Sequence, residues 1–307
     1  MLQYLNLLRD WILLNRVEVP TKFYIMKKYF YSTKSLALLL FVLPFLSQSQ
    51  VMLKADGPGN TYELISSVLA PGNSAVEAAD LNTLGNHTSF GRHIAEVWDA
   101  DLKANVFEFY AHIDYVNADK TRSTDNEPVA DVAEKQRVEI KTYGPSPDNL
   151  KGTTGETITY KWKFKLPKGF QPSTNFTHLH QIKAVGGTQD LPIFTLSAKK
   201  GKVNQFNVVH NNTTIVANMD LSQLEGVWVE ITEVIKVGAN GTYALGIKRV
   251  KDGKELLSYS NTDLETIRPD NTFIRPKWGI YRSLKKVEDL KEEAVRFADF
   301  SIMEGGN

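Results

Sequence analysis

The chain has 307 residues, 42% of them apolar and 10% aromatic, enough to bury a sizeable core, and its 23% charged content is that of an ordinary globular protein. Collagen-like, coiled-coil and low-complexity classes are excluded, and the absence of Cys removes disulfides, thiolate zinc sites and Cys nucleophiles. Formal charge is +1, but the first fifty residues hold six Lys/Arg against two Asp/Glu, so the remainder carries 30 basic and 33 acidic residues and a general nucleic-acid binder is disfavoured.

In chain order, Met26-Lys27-Lys28 opens a short basic stretch, Leu36 to Leu46 is an apolar run broken only by Pro44, and Ser47-Gln48-Ser49 supplies small residues for cleavage. This pattern predicts a secretory signal over 26–50, with translation starting at Met26 and a mature domain over 51–307. An eleven-residue apolar run is too short for a stable membrane span, so a secreted or periplasmic protein without a membrane anchor is expected.

From about Tyr62 onward the dominant signal is short β-type runs separated by Gly, Asn, Asp and Pro. Tyr160 to Leu166 alternates throughout, with aromatic and aliphatic groups on one face and three lysines on the other. Further runs are Val106 to Tyr115, Gln136 to Tyr143, Phe176 to Ala184, Pro192 to Ala198, Asn204 to His210, Val227 to Val237, Gly241 to Val250 and Ala294 to Met303. Gly238-Ala239-Asn240-Gly241 and Lys251-Asp252-Gly253-Lys254 read as hairpin turns. Helices are expected over Asn73 to Leu84 and Val287 to Glu293, and the charged segment Asp119 to Glu134 reads as a loop. About ten or more strands, with no linker and no repeat, predict an all-β, single-domain, two-sheet sandwich of jelly-roll type.

Three strands offer polar side chains at period two. Parity puts Arg137, Glu139 and Lys141 on one face, with Val138 and Ile140 on the other. In His178-Leu179-His180-Gln181-Ile182-Lys183, Gln181 and Lys183 share a face, and both histidines are expected on the opposite, buried face with Ile182. In Lys277-Trp278-Gly279-Ile280-Tyr281-Arg282, Lys277, Gly279 and Tyr281 share a face, and Gly279 is expected to leave room for a ligand. No third ligand accompanies the two histidines, so no metal site is expected.

The order Arg-x-Glu-x-Lys, Gln-Ile-Lys, Lys-x-Gly-x-Tyr resembles the three-strand signature of jelly-roll polysaccharide lyases, as in alginate lyases carrying Arg-x-Glu-x-Arg, Gln-Ile-His and Lys-x-Gly-x-Tyr. The wider run, with Phe90-Gly91-Arg92-His93 and Arg275 to Ser283, is similar to the heparin lyase I and glucuronan lyase-like superfamily over residues 60 to 303. The resemblance implies β-elimination on a uronate-containing anionic polysaccharide, with ulvan, glucuronan, alginate and glycosaminoglycans all compatible.

In such chemistry cationic or amide donors neutralise the uronate carboxylate, a task suited to Arg137 and Gln181. A base takes the C5 proton and an acid protonates the leaving O4. The resemblance gives Tyr281 the acid role; the family's basic His is replaced by Lys183, so the base is Lys183, a histidine such as His180, or Tyr281 itself. Glu139 is expected to orient Arg137, and Lys141, Lys277 and Arg282 to line the groove with it as substrate-binding residues. No cofactor is required, though a structural Ca²⁺ is compatible, and a monomer is expected. The competing readings are a binding module stacking sugars on Trp98, Trp162, Trp228 or Trp278, and a glycoside hydrolase, which needs a carboxylate pair, and no such set is found at i, i+2 to i+4 on a strand.

Overall fold

Period-two alternation, carried by β-branched and aromatic residues, builds two antiparallel sheets that bury their apolar faces against each other. A computed structural model of the protein describes residues 50–81, 91–113, 135–189 and 191–305. Residues 1–49 of the expected leader and the expected loop Asp119 to Glu134 lie outside them. The strands in chain order are β1 (Gln50–Leu53), β2 (Val76–Glu77), β3 (Ile94–Asp99), β4 (Ala104–Ala111), β5 (Lys135–Lys141), β6 (Thr157–Lys165), β7 (Thr177–Val185) and β8 (Pro192–Lys199). They continue with β9 (Gln205–His210), β10 (Thr214–Asp220), β11 (Val229–Lys236), β12 (Gly241–Arg249), β13 (Glu255–Leu264), β14 (Phe273–Ser283) and β15 (Glu293–Gly305).

One sheet runs β13-β12-β11-β6-β15-β4-β3, with β1 added beside β15; the other runs β10-β9-β8-β7-β14-β5-β2. Neighbours distant in sequence, such as β5 and β14, are brought side by side, which gives the expected jelly roll. Along β6, Ile158, Tyr160, Trp162 and Phe164 are all buried, while Lys161, Lys163 and Lys165 pair outward with Glu230, Asp299 and Asp101. Each large apolar side chain withdrawn from water contributes about 1.5–3 kcal/mol. Trp162 and Trp278 meet in the middle of the sandwich with ring centroids 6.0 Å apart.

Both hairpin turns form, but for different reasons. Gly253 adopts a left-handed φ of 69°, whereas a Cβ on Gly241 would lie 2.2 Å from Thr266 Oγ1, so there space is the requirement.

The helix expectations fail. Among the described residues one α-helix, α1, spans Thr61–Leu69, and it buries Tyr62, Ile65 and Leu69, an i, i+3, i+7 stripe that the β-rich reading passed over. Within Asn73 to Leu84 the described residues form strand β2 and one 3₁₀ turn (Ala79–Leu81), and Val287–Asp289 is likewise a single 3₁₀ turn ahead of β15. Pro71-Gly72 ends the helical chain before Asn73, and two short polar turns bury too little to sustain a longer helix.

Candidate active site

The β2-to-β10 sheet carries a groove of about 720 Å³ across its outer face. Strand register orders its side chains in rows. Arg137 of β5 opposes Tyr281 of β14, which opposes His178 of β7, which opposes Ser197 of β8. A second row runs Lys141, Lys277, Gln181 and Thr195, and a third sets Arg275 against Lys183.

Two bulges align these rows. On β14 the register slips between Trp278 and Tyr281, and on β7 between His178 and His180. Gly279 takes φ 145°, and a Cβ there would lie 2.1 Å from the Val138 carbonyl oxygen. The glycine therefore admits the neighbouring strand and not a ligand, contrary to the sequence expectation.

The β7 bulge places the consecutive residues Leu179 and His180 both in the core. His178 is thereby turned out into the groove, and its expected place on the buried face is overturned. Its Nδ1 lies 3.0 Å from Ser197 Oγ, its ring stacks on Phe176 at 4.6 Å, and its centroid is 5.7 Å from that of Tyr281. Burial pushes the His178 pKa down to about 4; Glu139 opposes that shift and the Arg137 charge adds to it. The ring is neutral at neutral pH.

His180 occupies the opposite environment. It packs on Trp162 with centroids 4.3 Å apart, and its Nε2 lies 2.8 Å from Glu233 Oε2 on the facing sheet. Tyr243 donates to the other oxygen of Glu233 at 2.6 Å. Closed off inside the sandwich, His180 has no route to a substrate, so its candidacy as the base is corrected.

Beside Tyr281 stands a charge cluster. The Arg137 guanidinium carbon sits 4.2 Å over the Tyr281 ring. Arg137 also contacts Glu77 at 3.2 Å and Glu139 at 3.1 Å, and Lys277 contacts Glu139 at 3.2 Å and pairs with Glu77. Gln181 donates to Glu139 at 2.5 Å, and Lys141 pairs with Glu77. Burial works to raise the pKa of both carboxyls, but Lys277 and Arg137, joined at Glu77 by Lys141, outweigh it, holding Glu77 well below the usual range and lowering Glu139. Burial pulls the Lys277 pKa down to about 8.

Of the expected residues, Arg137, Gln181, Lys183, Lys277 and Tyr281 line the groove together. Glu139, 1% exposed, contacts Arg137, Lys277 and Gln181 and has no surface for a ligand, so its expected place among the substrate-binding residues is corrected. Lys141 is spent on Glu77. Arg282 is fully buried: it donates to Gln136 Oε1 (2.8 Å) and to the carbonyls of Lys291 (2.9 Å) and Ala111 (3.1 Å). It tethers the two sheets at one end of the sandwich, and its expected place among the substrate-binding residues is corrected. Lys183 opposes Arg275, two rows from Tyr281.

Sequence reasoning missed Glu77, His178 and Arg275. Glu77 lies on a two-residue strand 60 positions before Arg137, with no periodicity to announce it. His178 had a signal: Leu179, an apolar residue at the parity of Gln181 and Lys183, marks where the alternation breaks. Of the tryptophans weighed as a stacking platform, Trp162, Trp228 and Trp278 are buried; Trp98, 63% exposed, lies on β3 of the other sheet. No group of His, Asp and Glu suited to holding a metal ion occurs among the described residues, and no helix among them is long and apolar enough to cross a membrane.

No family model and no curated protein matches the chain. Among solved structures it is similar to a marine PL-14 alginate lyase from Aplysia kurodai, at 10% identity, covering 84% of this chain and 100% of that one with a TM-score of 0.50. It is also similar to the endo-β-1,4-glucuronan lyase of the fungus Trichoderma reesei (13% identity, 68% and 86% covered, TM-score 0.47). Alginate lyase A1-II′, of polysaccharide lyase family 7, gives 14% identity, 71% and 85% covered, and TM-score 0.47. At these identities the likeness is one of fold: a two-sheet jelly roll.

Proposed function

We propose that the protein is an exported polysaccharide lyase that cleaves a uronate-containing anionic polysaccharide by β-elimination. The observation that carries this reading is the pairing, on adjacent strands of a cationic groove, of a neutral histidine with a tyrosine that lies under a guanidinium. His178 takes the C5 proton at Nε2 while Nδ1–H donates to Ser197. The released electron pair forms the C4–C5 double bond, the C4–O4 bond breaks, and O4 takes the phenolic proton of Tyr281. Arg137 faces the carboxylate whose charge grows toward an enediolate, and Gln181, with one amide hydrogen on Glu139, has its second for the same oxygens. Lys183, two rows away, is thereby relieved of the base role.

The hydrolase reading gains a carboxylate pair, because Glu77 and Glu139 both reach Lys277. A glycosidase, however, needs one carboxyl that keeps its proton, and both of these are held ionised.

The test mixes the protein with ulvan, glucuronan, alginate, heparin, heparan and chondroitin sulfates and follows ultraviolet absorbance of the unsaturated uronate. A rise on at least one polymer, lost by about 10²–10⁴-fold in Tyr281→Phe with polymer binding retained, is expected. New reducing ends without absorbance would replace elimination by hydrolysis, and binding alone would make the protein a carbohydrate-binding module.

A further inference from the structure

The central cations of the groove each have an acidic partner, and Arg275 does not. Its Nε and Nη1 atoms are buried and make no hydrogen bond among the described residues, yet the side chain lines the groove. Burial lowers its pKa, but a guanidinium stays protonated in proteins, so a full positive charge stands there with two donors unused. Glu77 and Glu139 act on this charge only through space and offset its burial in part, so donors left without hydrogen bonds are unfavourable in the free protein and an oxyanion arriving with a ligand would relieve them. Lys183 directly opposes Arg275 on β7, and both belong to the row beyond Lys277 and Gln181, away from Tyr281. The fork geometry of a guanidinium suits a planar carboxylate or a sulfate ester, which can accept two parallel hydrogen bonds.

We infer that Arg275, with Lys183, forms an anion-binding subsite for an acidic substituent on a sugar next to the one being cleaved, so that the protein requires charge on more than one residue of its polymer. This rests on the proposed lyase reading and extends it from the reacting uronate to its neighbour. Whether that substituent is a carboxylate or a sulfate is decided by the polymer used.

The test measures binding by calorimetry in the Tyr281→Phe protein, which holds substrate without consuming it, using glucuronan, carboxyl-reduced glucuronan and ulvan. Adding Arg275→Ala is expected to raise the Kd for an acidic polymer by about tenfold or more while the melting temperature holds, and Arg275→Lys to give a smaller rise, since charge is kept and the fork is lost. Loss on glucuronan identifies a carboxylate, and loss on ulvan alone a sulfate. Unchanged affinity for both acidic polymers in Arg275→Ala overturns the subsite. An equal loss on carboxyl-reduced glucuronan also overturns it, because the effect would then be one of shape. If Arg275→Ala does not fold, Arg275→Lys with unchanged affinity overturns it in the same way. Failure of the Tyr281→Phe protein to bind glucuronan, ulvan, alginate, heparin, heparan or chondroitin sulfate, all titrated in the same way, would instead sink the lyase reading on which the subsite depends.

Discussion

His178 and His180 lie two residues apart on β7 and show how differently the two faces of this sandwich treat one side chain. In the groove, His178 has one nitrogen on a serine hydroxyl, and its neighbours along the row are Tyr281 and Arg137. In the core, His180 is enclosed by Trp162 and Trp278 and set against a fully buried carboxylate. A regular strand would put both on one side. The extra residue at the bulge separates them, so a local backbone irregularity, and not a residue type, decides which histidine can do chemistry.

The sharpest way to break this contrast is to truncate each in turn. His178→Ala is expected to lower kcat by about 10²–10⁴-fold with little change in melting temperature. His180→Ala should destabilise the fold by about 3 kcal/mol, because it leaves Glu233 Oε2 buried without a hydrogen-bond partner and opens a cavity beside Trp162, while the folded fraction keeps its turnover. Turnover assays paired with thermal melts check both, and exchanged outcomes would reverse the face assignment.

A smaller effect is expected from Glu139→Gln, which keeps the shape of the side chain but removes the charge that Arg137 and Lys277 share. Losing one charge-assisted contact of that kind costs about 1.5–3 kcal/mol. A fall in kcat of about tenfold or more, with KM changed less, would mark a positioning role. Equal changes in both would place Glu139 in ground-state binding.

The mildest change is a displacement along the pH axis. The folded His178 takes a proton only near pH 4, whereas in the unfolded chain it does so near 6.5. The unfolded state therefore binds the extra proton first, and the stability this residue contributes declines as pH falls from 6.5 toward 4. The neutral base persists over the same interval, so kcat/KM should hold until about pH 4 on the acid side. On the alkaline side it should decline as Lys277 loses its proton near 8. An acid limb at 6.5 in a kcat/KM profile would mean that the His178 ring is solvated in the working protein.

Much of the sandwich was legible in the sequence, since alternation such as that of Thr157–Lys165 reports directly on a half-buried sheet. Parity also grouped Arg137, Gln181, Lys277 and Tyr281 on one surface, and each is there. What escaped was of two kinds. A break in period, as at Leu179, puts residues on its two sides at opposite parity, and a strict period-two reading has no term for it. Partners joined only by topology, such as Glu77 on its two-residue edge strand, carry no local pattern at all, because the fold and not the neighbouring chain brings them to the site.

The carboxylates of Glu77 and Glu139 bear on how the groove meets a charged polymer in salt water. A bare cluster of cations would gather small anions from solution and release them when a polyanion binds, making affinity fall steeply with ionic strength. Arg137, Lys141 and Lys277 instead carry their counterions as part of the protein, leaving few salt ions to displace. Hold on the polymer at the centre of the groove is thereby less sensitive to salinity than its number of basic residues alone would suggest.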